Sequence, residues 1–376
     1  MMDAMTARTP NWKRGLVLAA GVLACSAALA PADRAFGAPC VSGSNESAAV
    51  LIAACGTIID AAPAASFQID ALLARAEGYR RDGQIKPALS DLDRVIAMQP
   101  TPSSAVAAYR ARGDIHLQDK DYAAAIEDYG AAIRVDPLNV PLLQARAEAL
   151  ANAKRFNQAL DDYDAAIRLT PQSAQLFARR AATFREMRER RLAIRDFTES
   201  IRLDPGQIQT YLDRAEVFSK IGRTDLAIDD ETMAIGLDPT AADPYDRRGQ
   251  IYTRNSAYDR AIADYGEAIR LGPTAPFYLH RGVAYQLKGD LDGAIADYDR
   301  AVSLDDRLAL AWHNRGMAKW KKSDRAGAAS DFAAALAIDP DLDIAVRHSK
   351  ALAAEMSPRG RQRASRSAAA VSRTSQ

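Results

Sequence analysis

One phrase recurs along this chain, Ala-Ile-x-Asp-Tyr-x-x-Ala-Ile-x-Leu-Asp-Pro, and its spacing limits the fold more than any other feature. Pro137, Pro171, Pro205, Pro239 and Pro273 follow one another at 34 residues; Asp306 takes the next slot 33 on, and Pro340 closes the series at 34 again. A fixed period of that length describes stacked units that each contact only their neighbours, not one globular core. Such a stack offers a long continuous surface and no single central pocket, so holding another molecule is the first function to consider.

Counting back from each slot, and from Pro100 in the first repeat, shows what the units are made of. Twelve residues before the slot stands alanine every time, from Ala88 through Ala193 to Ala328. Eight before it comes a large side chain, Leu92, Tyr129, Tyr163, Phe197, Tyr265, Tyr298 and Phe332, with Glu231 the exception. Five before it the residue is small again in every repeat but the first, where it is Val95. Steps of four and three along one face are helical. The Leu-Asp-Pro ending stops that helix, because proline cannot continue it and disfavours helix in the residue before. A second helical pattern lies upstream, with a small residue 24 before the slot: Ala76, Gly113, Ala147, Ala181, Ala215, Gly249, Gly282 and Gly316. Gly83, Gly222 and Gly289 mark turns between the two helices.

Two helices that are small where they cross and aromatic beside the crossing resemble the tetratricopeptide repeat. The resemblance covers eight repeats, 69–100, 106–137, 140–171, 174–205, 208–239, 242–273, 275–306 and 309–340. It implies an all-α, right-handed superhelical solenoid of helix-turn-helix units. Segment 38–68 reads as a degenerate half repeat, with Leu51 to Ile59 as its second helix and Cys55 in the aromatic slot. Segment 341–356 reads as a capping helix over the apolar face of the last repeat.

Arginine stands 25 before each slot, from Arg75 to Arg315, and aspartate nine before it, from Asp91 to Asp331. The two are 16 apart with the inter-helix turn at their midpoint. An antiparallel hairpin therefore brings them level on facing helices, and a repeated Arg–Asp pair is expected, as part of the frame rather than of a binding ladder.

The ends read differently. Lys13 and Arg14 precede an apolar run, so 1–37 is expected to be a signal peptide cleaved near 32–37. Val22-Leu23-Ala24-Cys25 gives a second reading, a lipobox with Cys25 lipidated. No other stretch is long and apolar enough to span a bilayer, so the mature chain is expected to hold no transmembrane segment. Cys40 and Cys55, just before the repeats, suit one disulfide in an oxidising compartment. The periplasm is the expected location, with a lipid-anchored or an extracellular form as alternatives. Segment 357–376 holds Arg359, Arg361, Arg363, Arg366 and Arg373 without an acid, which suits a disordered tail in contact with an anionic envelope surface.

In proteins of the resembled family the first helices line the concave face. The corresponding residues here are Arg110, Asp114, Gln144, Glu148, Arg179, Asp213, Glu216, Asp246, Gln250, His280, His313, Asn314, Met317 and Trp320. They run from acidic to neutral and apolar, which suits an extended peptide or protein ligand with a basic end, anchored at Trp320. With 49 basic against 48 acidic side chains the whole chain is no polyanion binder, and no nucleic-acid role is expected. Phosphate-loop, zinc-protease and nucleophile motifs are not found, and the four histidines sit in different repeats, so no catalysis, cofactor or metal is expected. The expected function is a non-catalytic protein-binding scaffold or adaptor of the cell envelope. A lipoprotein adaptor held through Cys25 and a carbohydrate-binding or enzyme-associated accessory module are the alternatives.

Overall fold

The computed structural model describes residues 40, 43, 45–61 and 64–357. The signal-peptide run, Cys25 with its lipobox-like context and the arginine-rich stretch 358–376 lie outside the described residues. Eighteen α-helices and no strand make up the described residues, the all-α repeat architecture that the period implies. The chain divides between Ile115 and His116 into two compact units.

The first unit holds α1 (Ala48–Ala61), α2 (Ala65–Arg81), α3 (Ile85–Ala97) and most of α4 (Pro102–Gln118). Leu51, Cys55 and Ile59, four apart, turn one stripe of α1 onto Leu72, Leu92 and Val95. Cys40 packs against the same cluster, its Cα 5.0 Å from that of Cys55, within the separation that a disulfide spans.

The second unit opens with α5 (Tyr122–Val135) and continues in antiparallel pairs. These are α6 (Val140–Asn152) with α7 (Phe156–Leu169), α8 (Ala174–Glu186) with α9 (Arg190–Leu203), and α10 (Ile208–Lys220) with α11 (Thr224–Leu237). Next come α12 (Ala242–Arg254) with α13 (Tyr258–Leu271), α14 (Ala275–Lys288) with α15 (Leu291–Leu304), and α16 (Ala309–Lys321) with α17 (Arg325–Ile338), before a single last helix, α18 (Asp343–Met356). Helices pack most closely within a pair, and each second helix then packs on the first helix of the next pair.

Small residues set that spacing. Ala159, Ala193, Ala227, Ala261, Ala294 and Ala328 are fully buried, so neighbouring backbones approach closely. The rings of Tyr265, Tyr298 and Phe332 lie close against Gly249, Gly282 and Gly316 of the facing helix, and Tyr163 and Phe197 cluster with Ala147 and Ala181. A Cβ added at Gly249 would come within 2.7 Å of the Tyr265 ring, which is why the later repeats carry glycine there. The repeat's Asp before the proline slot has its own task. Asp204, Asp238, Asp305 and Asp339 each accept a hydrogen bond from the backbone N–H two residues on, closing an Asx turn between repeats. Asp305 keeps an extended backbone (φ −144°, ψ 97°) although Asp306 and not proline follows it, so the turn survives without the proline.

The turn inside each pair is stricter than the glycines suggest. Gly83, Gly222 and Gly289 have φ of 74°, 78° and 96°, and the equivalent residues Lys120, Lys154, Arg188, Ser256 and Ser323 have φ between 59° and 69°. Every repeat needs the left-handed conformation at this one residue, and five repeats adopt it with a side chain that disfavours it by about 1 kcal/mol. Lys120→Gly and Ser256→Gly are each expected to stabilise the protein by about 0.5–1 kcal/mol in urea unfolding, and Gly222→Ala to destabilise it by about 1 kcal/mol.

The arginine–aspartate pairs are formed. Arg75–Asp91, Arg146–Asp162, Arg214–Asp230, Arg248–Asp264, Arg281–Asp297 and Arg315–Asp331 are bidentate, with N···O distances of 2.6–2.9 Å. Arg180 Nε donates to Asp196 at 2.6 Å. The free Nη1 of the same arginines reaches the preceding repeat. Arg180 bonds Asp164, Arg315 bonds Asp299, and Arg214 and Arg248 bond Thr198 and Thr232. Arg112, in the first unit, reaches Asp93 at 2.5 Å. One guanidinium thus closes its own hairpin and stitches it to the one before. An aromatic ring three residues upstream covers several of them, as Trp312 does Arg315 at 4.5 Å. These bonds raise the pKa of Arg75, Arg146, Arg180, Arg248, Arg281 and Arg315 further, and the aspartates are almost wholly buried.

Candidate functional site

The surface that the first helices present in the second unit is not a row of free side chains. Glu148 faces Arg179 at 3.7 Å. Asp213 and Glu216 both accept from Arg185, at 2.6 and 3.2 Å, and Glu216 also pairs with Lys220 at 2.5 Å. Those bonds hold the Glu216 carboxylate below its ordinary pKa against the burial that opposes them. Asp246 is bonded by Gln250 and by His280, both at 2.7 Å. Gln144 is half-buried on α6. In the first unit Arg110 and Asp114 sit a turn apart on α4, 3.9 Å from each other. The acidic run expected from the sequence is therefore largely engaged across neighbouring repeats, because residues 28–34 apart in sequence lie side by side.

The expected anchor at the far end, Trp320, is half-buried beside the last helix. Trp320 donates its indole N–H to Glu355 of α18 at 2.9 Å and meets His348 edge-on at 6.4 Å. His313 is buried, and its Nε2 lies 2.9 Å from Nδ1 of His348, while Nδ1 meets the Asn314 amide at 3.0 Å. Burial, chiefly, holds the His313 pKa below the usual imidazole value. Met317 and Trp320 pack with Phe332 around Leu352. His313, Met317 and Trp320 thus also receive the last helix of their own chain. The signal was in the sequence, since His348 and Glu355 follow His313 and Trp320 at 35 residues, one repeat on.

Open space lies further upstream, in three adjoining recesses along α6, α8, α10 and α12. The first, about 360 Å³, is lined by Glu148, Lys154, Arg179, Arg185 and Glu186 among others. The second, about 530 Å³, shares Arg185 and Glu186 and adds Arg188, Arg190, Glu216 and Lys220. The third, about 320 Å³, shares Glu216 and Lys220 and adds Glu231, Arg247, Gln250 and Arg254. Together they are lined by eight basic side chains against four acidic ones, and Arg188 and Arg190 have no ion pair among the described residues. Arg188 and Lys154 are also two of the strained turn residues, so cations are placed on this rim at some loss of stability.

Of the groove residues read from the sequence, Glu148, Arg179, Glu216 and Gln250 line these recesses, but most of the cations were missed because they sit at the ends of the first helices and in the turns, outside the mid-helix positions from which the groove was read. Sequence reading also passed over Glu231, whose departure from the aromatic slot was the available signal. That carboxyl is 1% exposed. Oε1 accepts from Arg247 Nε at 2.8 Å, while Oε2 has no hydrogen-bond partner. Burial, above all, lifts its pKa to about 7 against the pull of Arg247.

Among the described residues no cluster of three or more His, Cys, Asp or Glu could hold a metal ion, and no helix is long and apolar enough to cross a membrane. Residues 73–140 and 121–174 match a family model described as tetratricopeptide repeat, and residues 282–323 match a second, described as TPR repeat. No curated protein matches the chain. Among solved structures, the C-terminal part of a TPR repeat-containing protein from Cytophaga hutchinsonii is similar over 62% of this chain and 97% of its own, at 20% identity and a TM-score of 0.54. A tetratricopeptide repeat protein from Parabacteroides merdae is similar over 66% and 98%, at 18% identity and a TM-score of 0.50. MamA is similar over 43% and 94%, at 26% identity and a TM-score of 0.41.

Proposed function

This chain is a tetratricopeptide-repeat protein, and from that premise we propose that it is a non-catalytic adaptor or assembly scaffold of the cell envelope, binding a protein or peptide along its first helices. One observation carries the reading: three adjoining recesses run across consecutive repeats, sharing Arg185, Glu186, Glu216 and Lys220 at their borders. A row of open recesses at the repeat spacing suits an extended chain, which can place successive side chains in successive units. Catalysis is not part of the proposal, and the buried Asp196, Asp230 and Asp331 carboxylates are committed to arginines of the frame. Export accounts for the pairing of Cys40 with Cys55 as a disulfide that closes the open end of the first unit.

A photo-crosslinking residue placed at Glu216 or Arg188 in cells is expected to capture one partner, and charge reversal at Lys220 to abolish that capture. Arg202 and Arg270, exposed on second helices and paired with Glu199 and Glu267, serve as controls whose reversal should change nothing. Equal capture from both faces, or saturable binding of a polysaccharide at the recesses, would overturn the adaptor reading.

A further inference from the structure

We propose that the recess at Glu231 receives a carboxylate from an acidic segment of the partner, so that this part of the groove selects acidic peptides. The proposal rests on the groove reading above and adds to it the chemistry of the occupant.

One substitution in the repeat sets this recess apart from the other two. In neighbouring repeats the rings of Tyr163 and Phe197 fill the space against Ala147 and Ala181. Opposite Ala215 stands Glu231, a thinner side chain, and about 320 Å³ is left open beside it. Its carboxyl is half satisfied: Arg247 holds Oε1 and spends Nη2 on the Leu212 carbonyl at 2.6 Å, and nothing among the described residues bonds Oε2. An orphaned buried oxygen can be satisfied in two ways. It can accept from an incoming donor, or, in the acid form, donate to an incoming acceptor.

The surroundings decide between them. Lys220, Arg247 and Arg254 line the recess, and the only other acid there, Glu216, is already bonded to Lys220 and Arg185. An ammonium or guanidinium entering would meet three cations, whereas a carboxylate meets them as partners. The groups that face Glu231 are Glu216 and Lys220 from α10, Asp230 on its own helix, and Arg247 and Arg248 from α12. Within that set the Glu231 carboxyl keeps its proton in a substantial part of the molecules at neutral pH, and so can donate to the incoming carboxylate once the 1%-exposed side chain turns toward the recess. The adjoining recess continues the pattern, with Arg188 and Arg190 available to further acids of the same segment.

The test uses the full chain and a fluorescent polyaspartate peptide, with affinity read at about pH 6 and about pH 8. Because binding requires the neutral carboxyl, affinity is expected to be roughly tenfold higher at the lower pH. Glu231→Gln, a permanently neutral donor, should bind as the wild type does at pH 6 and show little pH dependence. Glu231→Phe, which fills the recess, should lose at least about tenfold. Tighter binding at pH 8, preference for polylysine, or full displacement by inorganic phosphate at equal charge would overturn the proposal. An affinity that responds to reversal of Arg188 but ignores both Glu231 variants would overturn the recess and leave the groove reading standing. A partner captured only through the second helices would overturn the groove reading itself.

Discussion

Replacing Asp196 by alanine is expected to destabilise the protein by about 3 kcal/mol, the order found when one member of a buried ion pair is removed. Asp196 is 1% exposed and accepts from Arg180 at 2.6 Å and from Arg195 at 3.0 Å. Arg195 is exposed and returns to water without loss. Arg180 is not, its side chain being 13% exposed, and after the substitution it keeps only the bond to Asp164 of the preceding repeat and the face of Phe177. Its charge is then undercompensated, and that accounts for most of the expected loss. Thermal unfolding should show a midpoint lower by roughly 4–5 °C. Adding Arg180→Met removes the stranded charge, and the double variant should recover a good part of the stability. If Asp196→Ala left unfolding untouched while weakening partner capture, the pairs would be a binding ladder and not part of the frame.

How far such pairs can be read from sequence depends on what repeats. Proline slots, buried alanines and ring positions recur because each unit makes the same contact with the next, so one count of the period yields helices, turns and the 16-residue Arg–Asp separation together. The second bond of each arginine was less visible. Its acceptor is Asp164, Thr198, Thr232 or Asp299, and at Gly130 and Gly266 the position has no side chain at all, so no residue type marks it. The left-handed turn was legible only where glycine stood, although Lys154 and Arg188 adopt the same φ. Groove residues were the hardest. Whether Glu216 points to a ligand or to Arg185 depends on side-chain reach between repeats, and the bond from Trp320 to Glu355 depends on a helix that follows the last repeat. The frame is periodic and can be inferred from its period; the groove is made of the departures from it.

Glu231 is the departure with the largest expected effect on stability. Restoring the ring with Glu231→Phe should stabilise the protein by about 2–3 kcal/mol at pH 8, because a buried, half-satisfied carboxylate gives way to an apolar group in a slot built for one. Arg247 loses its acceptor, but its side chain is 35% exposed and keeps the Leu212 carbonyl. The gain should depend on pH in a direction that the raised pKa determines. A carboxyl that titrates near 7 when folded and in the ordinary glutamate range when unfolded favours the native state fully at acid pH. That contribution is lost as pH rises through 7, by about 3 kcal/mol in all, since the unfolded chain releases the proton first. Wild-type stability should therefore fall relative to Glu231→Phe between about pH 5 and pH 8, and then run parallel to it. Glu231→Gln should lack this slope while keeping the recess open, which separates the titration from the packing. Urea unfolding of the three proteins across that range measures both effects. A difference that stays constant with pH would mean that Glu231 is ionised throughout, with its second oxygen satisfied in solution, and the acid form would then be unavailable to a ligand.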